Sequence, residues 1–400
     1  MRLYERFEAP RPIGSGLMLQ PTGLAVLERL GLAEAAVACG ARIDRLFGKA
    51  GGRTVLDVRY AWLGGRDLHG VGIHRAALFD LLHRAVVAAG IPILCDRTVS
   101  ASPSEKGGGR LAFDDGSLSP PHDLIVDAMG ARSPLVGEAA HPLSYGALWA
   151  SLDWIEGFDG SALEQRYIRA STMTGLLPIG RAPGRAHPQA AFFWSLRGDR
   201  LEAWREAGLE AWKSDVRRLW PATAPLLDQI ADPAQLTFAR YAHRTLSRPA
   251  RPGLIHLGDA WHSTSPQLGQ GANMALLDAW SLAMALRRSK RIEEAIERAV
   301  AMRRSHVRLY QGLSALFTPA YQSDGRILPW IRDRIVPPLS RLWPATWIQA
   351  AMVAGTFGDP LTPLGLEPYA SPAASASTSP TASPASSASL SSAEALASTK

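Results

Sequence analysis

The sequence predicts an α/β fold, a parallel sheet with helices on its faces interleaved with an antiparallel sheet and followed by C-terminal helices. Three observations predict it. Leu254, Ile255 and Leu257 form a short apolar run between Pro252-Gly253 and Gly258-Asp259, as in a parallel strand buried on both faces. A Pro/Gly-rich turn follows, and Met274, Leu277, Trp280, Leu282, Ala283 and Leu286 then recur close to helical spacing. Between 141 and 250 the pattern changes to successive strands broken by one helical stretch.

Four hundred residues, 46% of them hydrophobic, suffice for a large core with more than one structural unit. The 43 Lys and Arg exceed the 36 Asp and Glu, but the basic residues are scattered among acids, which argues against a nucleic-acid partner. Arg287-Arg288-Ser289-Lys290-Arg291 and Arg303-Arg304 read as solvated helix faces. Two cysteines, Cys39 and Cys95, predict no disulfide framework and a reducing compartment. With no apolar run of transmembrane length and no signal-peptide core after Met1, a cytoplasmic location is expected.

Taken in order, Arg2-Leu3-Tyr4-Glu5-Arg6 reads as the end of a strand closed by an acidic residue. Gly14-Ser15-Gly16 precedes a helix over 22–32, which Leu27, Leu30 and Gly31 close as a helix end should. Short alternating runs between 42 and 72 read as strands, among them 54–60. A helix is expected to begin at Ile73, with Leu78, Leu81, Leu82, Ala85 and Val86 inward. Strands at 91–94 and 111–113 come next, with Asp114-Asp115-Gly116-Ser117 as a hairpin turn. A further strand over 123–128 ends at Met129-Gly130. Strands are then expected at 147–154, 190–196 and 236–243, with a helix over 201–220. Trp149, Trp154, Phe192, Phe193 and Trp194 read first as core, and as a group they could line an apolar pocket. The segment 327–353 mixes Trp and aliphatics with arginines, and either docks on the body of the protein or lies on a membrane surface. The Ser/Ala/Pro/Thr tail, 371–400, is expected to be disordered.

The carboxylate Asp259 falls at the C-terminal end of its strand, where open α/β sheets bind ligands. Gly269-Gln270-Gly271 leaves the next helix with bare N–H groups and a positive dipole end, suited to a ligand oxygen or a developing anion. His262 reads as a satisfied supporting histidine, with no carboxylate or cysteine at zinc-like spacing. No metal site is expected.

From Gly258 to Ala279 the chain resembles the group A flavoprotein monooxygenases, the FAD-dependent aromatic and ubiquinone-pathway hydroxylases. It matches every fixed position of their pattern G-D-A-x-H-x-x-x-P-x-x-G-Q-G-x-N-x-x-x-x-D-A. The resemblance implies a Rossmann-like FAD-binding domain with an antiparallel substrate domain laid over the flavin. Gly258, Gly269 and Gly271 would shape the turn, with Asp259 on a ribityl hydroxyl and Pro266 beside the ring. The Gly271-Ala272-Asn273 amides would face the pyrimidine edge, where reduced flavin carries charge. Arg75, with Leu78 and Leu82, matches an arginine that reaches the phosphates or ribityl chain, and Glu5 matches the acid that takes the adenosine ribose. The stretch 14–21 fits a segment on the flavin side.

Two departures stand out. Before Glu5 the family has a first strand, a G-x-G-x-x-G turn and a helix, and this sequence starts without them. The chain is therefore expected to lack its first β-α unit, through a truncated start or through a real loss that weakens FAD binding. Met129 stands where most relatives carry an aspartate tied to FAD phosphate and NAD(P)H handling. The expected division is an FAD-binding domain of 1–45, 73–140 and 251–290, a substrate domain of 46–72 and 141–250, a helical region of 291–370 and the tail.

The resemblance implies hydroxylation or epoxidation, by O2 through a flavin C4a-hydroperoxide, of an apolar aromatic or isoprenoid-like small molecule, with NAD(P)H as electron donor. It assigns no catalytic acid or base. A flavin-dependent reductase on the same fold and a non-catalytic remnant that does not retain FAD remain as alternatives.

Overall fold

The computed structural model describes residues 1–10, 14–105 and 108–370. The disorder expected of 371–400 concerns residues outside that set. Two parallel strand pairs form the side of the molecule expected to hold the cofactor. Ile125–Asp127 runs parallel to Leu254–His256, Val126 opposite Ile255, and Ala250–Arg251 adds an antiparallel edge. Leu3–Tyr4 runs parallel to Ile93–Leu94. No ladder of hydrogen bonds joins the two pairs among the described residues. Side chains join them instead. Tyr4 packs on Phe113 with ring centroids 5.3 Å apart, and Leu111, Phe113, Ile125 and Leu254 share one buried cluster with it. Val126, on what would be an inner strand, is 45% exposed.

The largest sheet has seven strands in the order Thr237–His243, His141–Asp153, Gln189–Arg197, Thr172–Pro178, Ala162–Ile168, Arg45–Ala50, Arg53–Arg59. It is antiparallel except where Ala162–Ile168 meets Arg45–Ala50. Its two faces are used differently. Leu148, Ala150, Leu152, Phe192 and Trp194 bury against Trp212 and Val216 of the helix Leu209–Leu219. The alternate residues of the same strand, Trp149 and Ser151, turn to the cofactor side, as the period of two requires.

A third sheet sets Gly70–His74 between Gly16–Leu19 and Ala41–Ile43. This corrects two expectations. Ile73 and His74 are strand, so the helix begins at Arg75 (Arg75–Ala88), and residues 70–72 pair away from the large sheet. Backbone pairing with Leu17 and Gly16 overrides the helical periodicity. The helix expected over 201–220 is two, Leu201–Ala207 and Leu209–Leu219, because Gly208 takes a φ of 82° that ends the first.

The helix Gly271–Arg288 lies between two cores, one shared with Pro21–Arg29 and one with the long helix Ile292–Tyr321. Leu286 and Ala283, expected inward, are exposed, while Asp278 and Ser281 are buried. The turn of helix that faces Ile292–Tyr321 is polar by design of its hydrogen bonds, described below. Gly23 marks how closely Pro21–Arg29 approaches: a Cβ there would lie 2.1 Å from Asn273 Oδ1.

Candidate active site and cofactor cleft

The strand Leu254–His256 delivers the chain to Gly258, whose φ of 56° turns it sharply into the short helix Asp259–His262. Only glycine takes that conformation without a steric penalty. Asp259 is exposed to solvent at the start of that helix yet crowded on its other sides by protein, in a recess open on one side, and its carboxylate makes no hydrogen bond to a described group. Burial raises its pKa, opposed by the charges of His262, Arg75 and Arg244. A crowded acceptor that is open on one side and has no protein partner can receive a hydroxyl donor from outside the protein.

Pro266 is exposed at the start of a 3-10 turn, and Gly269 closes that turn in the left-handed region at φ 61°. The helix at Gly271 has no side-chain cap from Gln270, and a Cβ at Gly271 would meet nothing within 4 Å. The first-turn amides of Gly271 and Ala272 are therefore open to a ligand. Asn273 is committed to the scaffold. Its Oδ1 accepts from the Gln20 amide at 2.8 Å, and its Nδ2 donates to the Met18 and Gly269 carbonyls, both at 3.1 Å. Only its backbone is left for a ligand.

Arg75 is exposed in the first turn of its helix, its stem 3.3 Å from where a Gly14 Cβ would lie. It is near enough to Asp259 and to the Tyr241 hydroxyl to lower the pKa of each. Burial wins at Tyr241 and pushes it up to about 12, so the phenol stays protonated and accepts from Trp149 Nε1 at 2.9 Å. The Trp149 ring leans on Phe193 with centroids 4.8 Å apart. Ser151 meets Ser15 Oγ at 2.8 Å and His74 Nε2 at 3.2 Å. Arg75 thus links the carboxylate of the recess to the aromatic face of the large sheet. Glu5 stands apart at the end of Leu3–Tyr4, half-buried, with Oε1 accepting from the Phe7 amide at 3.1 Å.

Beneath the turn lies a polar network that sequence reasoning missed. Asp278 is fully buried. Its Oδ2 accepts from the Gly258 amide at 3.0 Å and meets His262 Nε2 at 2.6 Å, while its Oδ1 accepts from Arg303 Nε at 2.8 Å. Burial alone would raise this carboxyl. The charges and hydrogen bonds of His262 and Arg303 outweigh burial and hold it at about 2. Arg303 also donates to His306 Nδ1 at 3.0 Å, and burial together with that guanidinium lowers His306 to about 3. Further along the same helix, Gln311 donates to the His262 carbonyl at 3.0 Å, and Ser314 and Thr318 bond Ser265. His262 is therefore a strut. The available signal was polar residues interspersed among the apolar ones on the inward face of an amphipathic helix, where Arg303, read as solvated, is fully buried.

Arg244 was also missed. It is buried and donates to the carbonyls of Glu138, Gly130 and Asp259, tying the Met129-Gly130 turn to the recess. Behind that turn, Asp127 accepts from Ser133 at 2.6 Å and from the Met129 amide at 3.0 Å, and meets His256 Nδ1 at 2.7 Å. Met129 itself is 41% exposed and carries no charge toward the recess.

These residues fit one end of FAD. The unpartnered carboxylate, the open Gly271-Ala272 amides and the uncovered Pro266 suit a ribityl chain and ring, while the sequence given contains no Gly-x-Gly-x-x-Gly to cradle the phosphates.

Comparison with known proteins agrees. Residues 159–308 match a family described as an FAD binding domain. The chain is 28% identical to 6-methylpretetramide 4-monooxygenase of Streptomyces rimosus, over 85% of this chain and 82% of that protein. It is 26% identical to 2-heptyl-3-hydroxy-4(1H)-quinolone synthase of Mycobacteroides abscessus, over 74% and 78%. Among solved structures, 2-methyl-3-hydroxypyridine-5-carboxylic acid oxygenase superposes with a TM-score of 0.71 at 20% identity, over 92% of this chain and 91% of that one. HpxO of Klebsiella pneumoniae, solved with FAD and uric acid, gives 0.70 at 20% identity, over 89% and 91%. The fold and the recess define an FAD-binding α/β protein. The chain is similar to FAD-dependent aromatic hydroxylases and monooxygenases across most of its length, and its FAD-binding family match spans residues 159–308.

Proposed function

We propose that this chain hydroxylates or epoxidises an apolar, aromatic or isoprenoid-like small molecule with O2, using FAD and taking electrons from NAD(P)H. The observation that carries the reading is the unpartnered Asp259 in the same strand-turn-helix as the uncapped N-terminus of Gly271–Arg288, with Arg75 close enough to influence both Asp259 and the Tyr241 that bonds Trp149. Bound FAD would supply the activation of O2 and the transfer of one oxygen atom.

The protein's own residues do the rest. Asp259 accepts from the ribityl chain, and the Gly271 and Ala272 amides stabilise negative charge at the ring edge. Arg75 lies between the cofactor recess and the sheet, on the ribityl or phosphate side. Trp149, Phe193 and the protonated Tyr241 form an apolar wall with one hydroxyl, which suits a flat substrate with one polar group and excludes water from the ring. The relatives named for a quinolone product and a pretetramide substrate support an aromatic substrate class.

A second reading is a flavoprotein-like body that does not retain FAD. Titrating FAD into the purified chain and following flavin fluorescence decides between them. Saturable quenching, followed by NADH or NADPH oxidation that speeds up with a hydroxylated aromatic acid or quinolone, is the expected result. A chain that stays colourless at a large excess of FAD overturns the enzyme reading.

A further inference from the structure

The segment 327–347 departs from the rest of the surface. Its helices Ile327–Arg334 and Val336–Ser340 and the chain leading into Ala345–Ala354 leave Ile327 74%, Trp330 54%, Leu339 58%, Leu342 60%, Trp343 83% and Trp347 44% exposed. Single exposed apolar residues are ordinary on a protein surface, but this many large ones within twenty-one residues are not. Beyond Trp347, the helix Ala345–Ala354 docks through Ala350, Ala351, Val353 and Ala354, and Gln270 donates to the Val353 carbonyl at 2.6 Å. The two placements expected of 327–353 thus divide it, with the far end docked and the near end bare.

The bare end is held rigidly. Arg332, 3% exposed, donates to the carbonyls of Ala320 and Arg169 at 2.9 and 2.8 Å and lies over the Tyr167 and Tyr321 rings. Those bonds bring the exposed Ile168 and Arg169 beside the helices. Tyr167 and Tyr321 pack in turn with Phe193 and Trp149, so the patch adjoins the aromatic face of the large sheet.

Within 326–347 the unpaired charge has one sign, and the nearby carboxylates Asp324 and Asp57 are held by Arg197 and by Arg45 and Arg59. Arg326, Arg334 and Arg341 are exposed and form no ion pair among the described residues, whereas Asp333, the one carboxylate between 326 and 347, is taken by Arg332. Tryptophans at the level of an interface, aliphatics beside them and unpaired arginines around them match the headgroup region of an anionic bilayer. No described helix is long and apolar enough to cross a membrane, so contact would be at the surface.

We propose that 327–347, with Ile168 and Arg169, is a docking surface for an anionic phospholipid membrane, seating the protein with its aromatic substrate face next to the bilayer. The proposal goes beyond the activity and is tested without it. The full chain is floated with vesicles of phosphatidylcholine alone and with vesicles containing about a third phosphatidylglycerol, at low and high salt. The expected result is partition onto the anionic vesicles, weakened by salt, and reduced at least about tenfold in Trp330→Ser/Trp343→Ser. Arg334→Glu/Arg341→Glu is expected to abolish the preference for anionic over neutral lipid. All four residues are exposed, so unchanged melting curves establish that the variants fold. Absence of partition onto anionic vesicles at low salt overturns the proposal, as does equal partition of the tryptophan variant. A dimer that Trp330→Ser/Trp343→Ser splits into monomers, with no partition by the parent chain, overturns it in favour of a second copy on this face.

Discussion

The two ends of the cofactor side are built by different means. From Gly258 to Asp278 the chain is locked by a buried carboxylate with three partners, by Asn273 with three hydrogen bonds and by a ladder of polar residues on Ile292–Tyr321. Among the described residues, the strand pairs Leu3–Tyr4 with Ile93–Leu94 and Ile125–Asp127 with Leu254–His256 share no backbone ladder and are joined through side chains such as Tyr4 and Phe113. The contrast teaches that the Gly258–Gly271 turn is braced by the protein alone, because its hydrogen bonds are internal. Among the described residues the strand-pair end has no comparable polar bracing, and any ligand that bound there would add stability.

Four changes would break or sharpen this contrast, the first having the largest expected effect. Arg303→Met leaves the Asp278 carboxylate buried beside one uncharged donor and one histidine, and is expected to cost about 3–5 kcal/mol in urea unfolding. A loss below about 1 kcal/mol would show that the network is incidental to the fold.

Acid should weaken the same network in two steps. The folded pKa of His306 lies near 3 against an ordinary value of 6.5, so the unfolded chain takes up the proton first. Stability is then lost as pH falls below 6.5, by about 1 kcal/mol per pH unit. Asp278, at about 2 against 3.8, adds a further loss as pH falls from 3.8 toward 2. Urea midpoints between pH 7 and 4 measure the first step, and His306→Gln should flatten it. An unchanged slope in that variant would place the acid sensitivity elsewhere.

Asp259→Ala is expected to weaken FAD binding about tenfold, equivalent to about 1.4 kcal/mol, without lowering the melting temperature of the ligand-free protein. Unaltered FAD affinity would move the ribityl chain away from Asp259. The smallest effect is expected at the loosely joined strands: Val126→Thr, at a position 45% exposed, should change stability by less than about 0.5 kcal/mol. A larger loss would mean that this edge is covered in solution.

What could be read in advance follows the range of the interactions. The turn from Gly258 to Gly271 is made by residues close in sequence, with glycines at the positive φ positions 258 and 269, so its shape was legible. Glu5, Arg75 and Pro266 were legible as residue types at family spacing, and the structure brings Arg75 to Asp259 while leaving Glu5 on a separate strand pair. Arg303 reaches Asp278 across 25 positions and Tyr241 reaches Trp149 across 92, and no local pattern reports such pairs. Ile73 and His74 were misread because an apolar run carries helical and strand signals at once, and only the partner strand Gly16–Leu19 resolves them.

By itself, then, the sequence determined the α/β class, the strand-turn-helix at the recess and the bareness of that helix end, since backbone conformation and short-range spacing set these. Tertiary structure decided that His262 and Asn273 are structural, that Asp259 is the carboxylate left unpartnered and that 327–347 is divided from the docked helix behind it. Each of these depends on whether a polar atom or an apolar face finds a partner from a distant part of the chain, and burial makes that choice only when the chain has folded.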